Sequence, residues 1–295
     1  VEFKLNTNSP KEGIALIDED SSTEIELLKA DLVVTKGDVD VDKLVFDLTA
    51  STDLTDVQAV KLYDGTTVIG NVEATEAAVV FSDLDLNIKS GTTKTLTLKA
   101  EIAANTATSV TTVSLSAKID GGNTAKTDII GVNDKDASVT GVASGDTIFF
   151  YLVAPEISDI KASITEGKRD DGTTAFADAR IEFVLTAKGG NVVLPQATSV
   201  GTDGGILFTS DASITAPKIT VGGTSIEDGN ITITNGQSKT VVVEGRLSYS
   251  AASGDLRADL KVSGIDWTGD KYDNTRAKEI LKNLKTNSVV LTKQS

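Results

Sequence analysis

The feature that most constrains the fold is the alternation of apolar and polar residues in short runs. Residues 24–27, 43–48, 94–100, 230–234 and 240–244 place apolar side chains near every second position and are rich in Thr and β-branched residues. A period of two is typical of half-buried β-strands. Tight-turn dipeptides stand between the runs and begin at Asp64, Asp120, Asp171, Asp203, Asp228 and Asn235, each followed by Gly. The sequence therefore predicts an all-β sandwich or barrel.

Only one stretch predicts a helix, near the C-terminus. Between residues 275 and 285, apolar side chains at Ala277, Ile280, Leu281 and Leu284 would form one stripe along a helix. A final strand is expected at residues 288–292.

The chain also repeats itself. Residues 86–96 and 231–241 share a strand, a Gly turn, a Lys-Thr or Ser-Lys-Thr segment and a second strand, 145 residues apart. Upstream, residues 34–39 resemble residues 186–192 with a small shift in register. Two matches in the same order indicate two copies of one module.

The junction between the copies is expected at Pro155, after an apolar run that spans residues 148–154. We predict an acidic module at 1–153 and a second module at 154–295 that carries the helix and the final strand.

The first module resembles a known family. Residues 43–46, 57–65, 68–70 and 88–102 are similar to a recurring immunoglobulin-like module found in tandem in large prokaryotic surface-layer-type and cell-envelope proteins. The resemblance implies two tandem immunoglobulin-like β-sandwich domains, an extracellular structural role, and assembly into a lattice or filament. It brings no catalytic residues, and this sequence has no recognisable wall-anchoring segment.

Composition excludes several functions. The chain has no Cys and no His, so thiol catalysis, zinc-thiolate sites and the Ser-His-Asp triad are absent. A net charge of −15 argues against binding to duplex nucleic acid. No apolar run is long enough to span a membrane as a helix. We expect an exported protein whose signal segment is not part of this sequence.

Acidic clusters suggest Ca²⁺ sites, because Ca²⁺ prefers several oxygen ligands. In a strand, Asp38, Asp40 and Asp42 would share one face, whereas Asp134 and Asp136 fall in a predicted loop. The alternative for the first cluster is a solvated strand face, since it lacks the Gly and Glu of an EF-hand loop. No other cofactor is expected.

Two segments are candidate contact surfaces between copies. The first strand, with Val1, Phe3 and Leu5, would pair either in its own sheet or in that of a neighbour. The predicted helix is basic through the residues Arg276, Lys278, Lys282 and Lys285. Module one carries 12 Lys and Arg against 25 Asp and Glu, and module two carries 16 against 18, so an acidic module could meet a basic helix head to tail.

These patterns together favour a non-enzymatic structural protein that assembles with itself, and with other cell-envelope components, into an extracellular surface layer or filament. A cell-surface adhesin or ligand-binding module is the alternative. A carboxylate-dependent hydrolase ranks third, because the abundant acids single out no catalytic pair.

Overall fold

The structure, a computed structural model, describes residues 1–51, 54–104, 113–122, 128–131, 135–168, 174–249, 255–267, 270–272, 281 and 284–292. The chain divides into two compact units, Val1–Leu152 and Val153–Ser295. We call them unit 1 and unit 2. Their boundary lies one residue before the one expected from the sequence.

The described residues of unit 1 form fourteen strands. They are β1 (Glu2–Leu5), β2 (Gly13–Leu16), β3 (Thr23–Val33), β4 (Val39–Ala50), β5 (Val57–Asp64), β6 (Thr67–Val72), β7 (Ala78–Phe81), β8 (Leu86–Ile88), β9 (Thr93–Ile102), β10 (Val113–Asp120), β11 (Asp128–Gly131), β12 (Lys135–Asp136), β13 (Thr140–Ser144) and β14 (Ile148–Tyr151).

Hydrogen bonds join the strands of unit 1 in the order β12-β11-β4-β10-β13-β1-β3-β9-β5-β6. The remaining strands attach to this path, β7 and β8 on β4, β14 on β10, and β2 on β14. Alternate residues of β3, β4 and β9 point into one apolar core, which includes Leu32, Phe46 and Leu98. A register shift between Glu26 and Leu28 accounts for the two consecutive buried residues Leu27 and Leu28.

Thirteen strands are formed by the part of unit 2 that the structure describes. They are β15 (Ala154–Lys168), β16 (Thr174–Lys188), β17 (Val192–Leu194), β18 (Val200–Gly201), β19 (Asp203–Thr209), β20 (Ser213–Val221), β21 (Thr224–Ser225), β22 (Ile231–Ile233), β23 (Ser238–Ser248), β24 (Asp255–Ala258), β25 (Lys261–Trp267), β26 (Asp270–Tyr272) and β27 (Val289–Thr292).

The main sheet of unit 2 has the order β15-β16-β23-β20-β21. A second sheet has the order β18-β19-β25-β26, and two-stranded ladders join β17 to β22 and β24 to β27. Trp267 is 1% exposed, and its indole N–H donates to the Val153 carbonyl oxygen at 2.9 Å. This bond ties the start of unit 2 to β25.

The two units share one backbone arrangement, which we call the turn clasp. In unit 1 the Val34 N–H donates to the Thr92 oxygen at 3.0 Å, and the Val34 oxygen accepts from the Gly91 N–H at 2.8 Å. In unit 2 the Ala187 N–H donates to the Gln237 oxygen at 3.0 Å, and the Ala187 oxygen accepts from the Gly236 N–H at 2.9 Å.

The strands beside the clasp also match in register. Val39 pairs with Ile88 and Val41 with Leu86 in unit 1. In unit 2, β17 and β22 repeat this register, with Val192 opposite Ile233 and Leu194 opposite Ile231. The repeated sequence segments therefore build the same local structure twice.

The all-β prediction is confirmed, since the described residues form strands in several sheets. The apolar run at residues 148–154 is divided between two strands, because β14 ends at Tyr151 and β15 begins at Ala154 in the other unit. Of the helix expected at 275–285, only Leu281, Leu284 and Lys285 lie within the described residues; Leu281 has helical backbone, and Leu284 and Lys285 do not. The helix stays a prediction. Among all the described residues, no helix is long and apolar enough to cross a membrane.

The turn clasp depends on two glycines with left-handed backbone. Gly91 and Gly236 have φ of 76° and 75°, and a Cβ added at either position meets no atom within 4 Å. Because backbone strain is then the only penalty, we expect Gly91→Ala to destabilise unit 1, and Gly236→Ala unit 2, by about 1–2 kcal/mol each.

Denaturant unfolding separates the two effects, because the only tryptophan, Trp267, reports on unit 2. Gly236→Ala should shift the fluorescence transition, and Gly91→Ala should shift only the transition seen by circular dichroism. Gly13→Ala is the control, since its added Cβ meets only the Lys11 oxygen at 3.6 Å. Identical shifts for both clasp variants would contradict separate units.

Candidate functional site

The first predicted calcium cluster lies at the start of β4. Val39 and Val41 point inward, which leaves Asp40 exposed and Asp42 half-buried on the other face. The Asp38 carboxylate accepts from the Ser90 N–H at 2.9 Å and from Lys89 Nζ at 3.0 Å. Asn87 Nδ2 donates to Asp40 Oδ1 at 2.6 Å. Two of the three acids are therefore hydrogen-bonded to the strand and turn beside them.

Unit 2 repeats the Asp38 contact with a neutral residue. Asn191 stands immediately before β17, as Asp38 stands before β4, and its Oδ1 accepts from the Asn235 N–H at 2.9 Å. The shared part of the two contacts is a side-chain oxygen that caps the clasp turn. Because an amide does this in unit 2, capping does not require a carboxylate.

The second predicted calcium cluster is only partly described. Asp136 is exposed on the short strand β12, and Asp134 lies outside the described residues. Among the residues that the structure describes, no three Asp or Glu side chains are grouped closely enough to hold a metal ion. Calcium binding at these positions stays a prediction.

The predicted N-terminal contact strand lies inside unit 1. β1 pairs antiparallel with β3 and parallel with β13, so both of its edges are hydrogen-bonded within the chain's own sheet. Phe3 is 1% exposed, Leu5 is 37% exposed, and the Val1 amino group donates to the Ser138 oxygen at 2.7 Å. A neighbouring copy therefore has no free backbone edge to join at β1.

The predicted basic contact surface is mostly undescribed. Arg276, Lys278 and Lys282 lie outside the described residues. Lys285 is exposed and forms an isolated backbone bridge with Lys261.

A charged ladder crosses the outer face of β3, β9 and β5. Glu24 accepts from Tyr63 Oη at 2.7 Å and from Lys99 Nζ at 3.0 Å, and it lies 3.3 Å from Lys61 Nζ. Lys61 Nζ also lies 2.7 Å from Glu101, and Lys99 Nζ sits 4.5 Å above the Tyr63 ring. Opposite charges therefore alternate across three neighbouring strands.

The ladder shifts the titration of its members. Burial raises the pKa of Glu24, but hydrogen bonds from Tyr63, Lys99 and Lys61 outweigh it and lower that pKa below its usual 4.5. The Lys61 hydrogen bond lowers the pKa of Glu101 in the same direction. Both carboxylates are stabilised in their charged form, which is the reverse of what a general acid needs.

Unit 2 carries an equivalent ladder on β16, β23 and β15. Arg180 pairs with Glu182 and Glu244, and Lys161 lies 3.1 Å from Glu182. Arg246 binds Asp178 through two nitrogens, at 2.7 and 3.0 Å. The ladder borders a shallow depression of about 500 Å³ whose charges already neutralise one another.

One edge of the main sheet of unit 2 is formed by β15. Three apolar residues of β15 lie on its inner face, opposite buried residues of β16. We call these three residues the inner row: Ile157, Ala162 and Ile164.

The inner row contrasts with its neighbours in β16. Ala162 is exposed and Ile164 half-buried, whereas the residues opposite them, Ile181 and Ala179, are 0% and 3% exposed. Ile160, in the register shift of β15, is 37% exposed. The apolar core of unit 2 therefore covers β16 more completely than β15, of which only Ala154 and Pro155 are buried.

Sequence reasoning missed both the ladders and this edge. The signal for the edge was present, because Ile160, Ala162 and Ile164 stand at every second position, as in a half-buried strand. What the pattern does not contain is the extent of the facing sheet, which decides whether that face is covered.

Comparisons with known proteins add little. No family model and no curated protein matches the chain. Among solved structures, a lectin from Pleurotus ostreatus in complex with GalNAc aligns with 98% of this chain and 80% of its own, at 11% identity and a TM-score of 0.20. So low a score carries no argument about fold or ligand.

We expect acid to weaken unit 1 partly through Glu24. Because the pKa of Glu24 is lower in the folded state, its charged form contributes fully to the free energy of unfolding at a pH above its usual pKa of 4.5. The contribution is lost as the pH falls through the folded-state pKa. Glu24→Gln should remove up to about 1 kcal/mol at pH 7 and flatten the loss of stability toward pH 3.

Urea unfolding at pH 7, 5, 4 and 3 measures this effect. The matched control is Glu73→Gln, an exposed glutamate with no ion pair among the described residues. If the stability of Glu24→Gln and that of Glu73→Gln fell equally as the pH was lowered, the ladder would not contribute to the acid sensitivity of unit 1.

The capping role of Asp38 is separable from a calcium role. Asp38→Asn should keep the bond to the Ser90 N–H and leave the melting temperature nearly unchanged, whereas Asp38→Ala removes the acceptor and should lower the melting temperature. Melting curves with calcium chloride and with chelator provide the measurement. A calcium-induced stabilisation that Asp38→Asn abolishes would instead support the metal site.

Proposed function

We propose that the chain is a non-enzymatic structural protein that assembles with its own copies into an extracellular surface layer or filament on a prokaryotic cell. In this proposal each unit is an immunoglobulin-like β-sandwich. The observation that carries the proposal is the edge strand β15 of unit 2, which is 15 residues long and whose inner row is exposed at Ala162 and half-buried at Ile157 and Ile164. Edge strands with unpaired backbone are natural sites of association.

The duplicated turn clasp supports a modular, load-bearing role. Two units built on the same register and the same pair of reciprocal backbone bonds are what tandem repetition of a structural module produces. The cross-strand ladders stabilise the outer faces in both units.

The titration pattern argues against hydrolysis as the main function. Among the described carboxyl groups, every one whose pKa departs from its usual value is lowered; they are Asp18, Glu24, Asp38, Glu101, Asp178, Glu182 and Asp203. A glycosidase needs one carboxyl group with a raised pKa as the general acid. An adhesin remains the competing proposal, without a specific site to support it.

The assembly proposal predicts ordered polymers of the purified chain. Negative-stain electron microscopy, across protein concentration, ionic strength and calcium concentration, should show sheets or filaments with a regular repeat. Only isolated particles under every condition would contradict the proposal. Polymers that form equally well at high salt would remove an electrostatic contact between the acidic and basic regions.

A further inference from the structure

The sequence contains one short motif that the proposed function does not use. Asn230, Ile231 and Thr232 match the acceptor motif for N-linked glycosylation, which is Asn-x-Ser/Thr with a residue other than Pro in the middle. Asn230 is the only asparagine of the chain with Ser or Thr two positions later and no Pro between them. Because so short a motif also arises by chance, the place that the fold gives it decides whether it can act.

The fold presents both side chains of the motif on one exposed face. Asn230 directly precedes β22, and Thr232 lies within that strand. Ile231 and Ile233 are 5% and 0% exposed, whereas Asn230 and Thr232 are exposed. Successive side chains along a strand point to opposite faces, so the amide and the hydroxyl share the outer face. Both groups are therefore accessible from the same side.

One hydrogen bond orients the Asn230 amide. Its Oδ1 accepts from the Gln196 N–H at 2.9 Å, and Gln196 Nε2 donates to the Glu227 oxygen at 2.6 Å. No described residue accepts a hydrogen bond from Asn230 Nδ2. The nitrogen that would carry a glycan is therefore the free end of a side chain that is anchored through its oxygen.

The loop before β22 has room for a bulky group. A Cβ added at Gly229, the residue before Asn230, meets no atom within 4 Å. Asp228 is exposed, and its N–H donates to the Ser225 oxygen at 3.2 Å, which closes a turn. A glycan on Asn230 would extend into solvent and displace nothing in the apolar core.

The equivalent strand of unit 1 lacks the motif. In the register that the two units share, Asp85 stands where unit 2 has Asn230. A carboxylate has no nitrogen to which a glycan could be joined. Asn87, in the same strand of unit 1, has Lys89 two positions later and therefore no hydroxyl there. A glycan would mark unit 2 alone.

We propose that Asn230 is an N-glycosylation site of the exported chain. Its Nδ2 attacks the anomeric carbon of a glycan that is carried on a polyprenyl diphosphate. An N–C bond forms, the C–O bond to the diphosphate breaks with its electron pair leaving on the diphosphate, and the amide loses one proton. The attached glycan is bulky and hydrophilic and stands on the outer face of β22.

This inference rests on the export that the proposed function requires, and it does not depend on self-assembly. Secretion of the full chain from yeast, whose secretory pathway attaches N-glycans, tests the site directly. The intact mass should exceed the mass of the chain by one glycan. Digestion with peptide N-glycosidase should remove the glycan and leave a carboxylate in place of the Asn230 amide.

Three substitutions on the same outer face assign the modification to the motif. Thr232→Ala should abolish the glycan, whereas Thr232→Ser should retain it, because either hydroxyl completes the motif. Thr234→Ala is the matched control, since Thr234 is also exposed but lies outside the motif. Circular dichroism melting of the secreted variants establishes that all of them fold.

A secreted wild-type chain without a glycan, or a glycan that Thr232→Ala retains, would overturn the inference. The yeast supplies the export, so this result is separate from the assembly of the chain. Glycosylated chains that form no polymer under any condition would support the site and contradict the layer. Unmodified chains that polymerise would contradict the site and support the layer.

Discussion

Backbone hydrogen bonding at strand edges is the constraint on which this structure depends. In a chain built almost entirely of strands, each backbone N–H and C=O must be paired or left to solvent. The turn clasp pairs these groups in the same way in both units. The reciprocal bonds of Val34 and of Ala187 fix the register of the strands on either side. The rest of each unit extends from this fixed point.

The two units resolve their outermost edges in different ways. In unit 1, the first sixteen residues provide β1 and β2, which pair with β13 and β14, so the last strands are closed by the first. In unit 2, β15 continues along β16 for its whole length and never crosses to β27. The first strands therefore pair with the last strands in unit 1, whereas β15 of unit 2 is an edge strand of its sheet. An edge strand has a free backbone side at which another chain can pair.

Much of this could be predicted from the sequence. Alternation identified the strands that contain residues 94–100 and 240–244, and the final strand at 288–292, because a half-buried strand requires a period of two. The repeat was visible because each clasp turn needs a glycine at the same place. Whether the inner face of β15 is covered could not be predicted, since Ala162 and Ile164 show the same apolar-polar alternation with or without a facing strand. Likewise, Asp38 looked like a metal ligand because spacing alone does not reveal its bond to the Ser90 N–H.

Hydrogen exchange at the edge of unit 2 tests the central claim most directly. Backbone amides on the outer edge of β15 should exchange rapidly in dilute solution and become protected as the protein assembles at higher concentration, while those of β1 and β14 stay protected throughout. Exchange in β15 that does not depend on concentration would contradict the account.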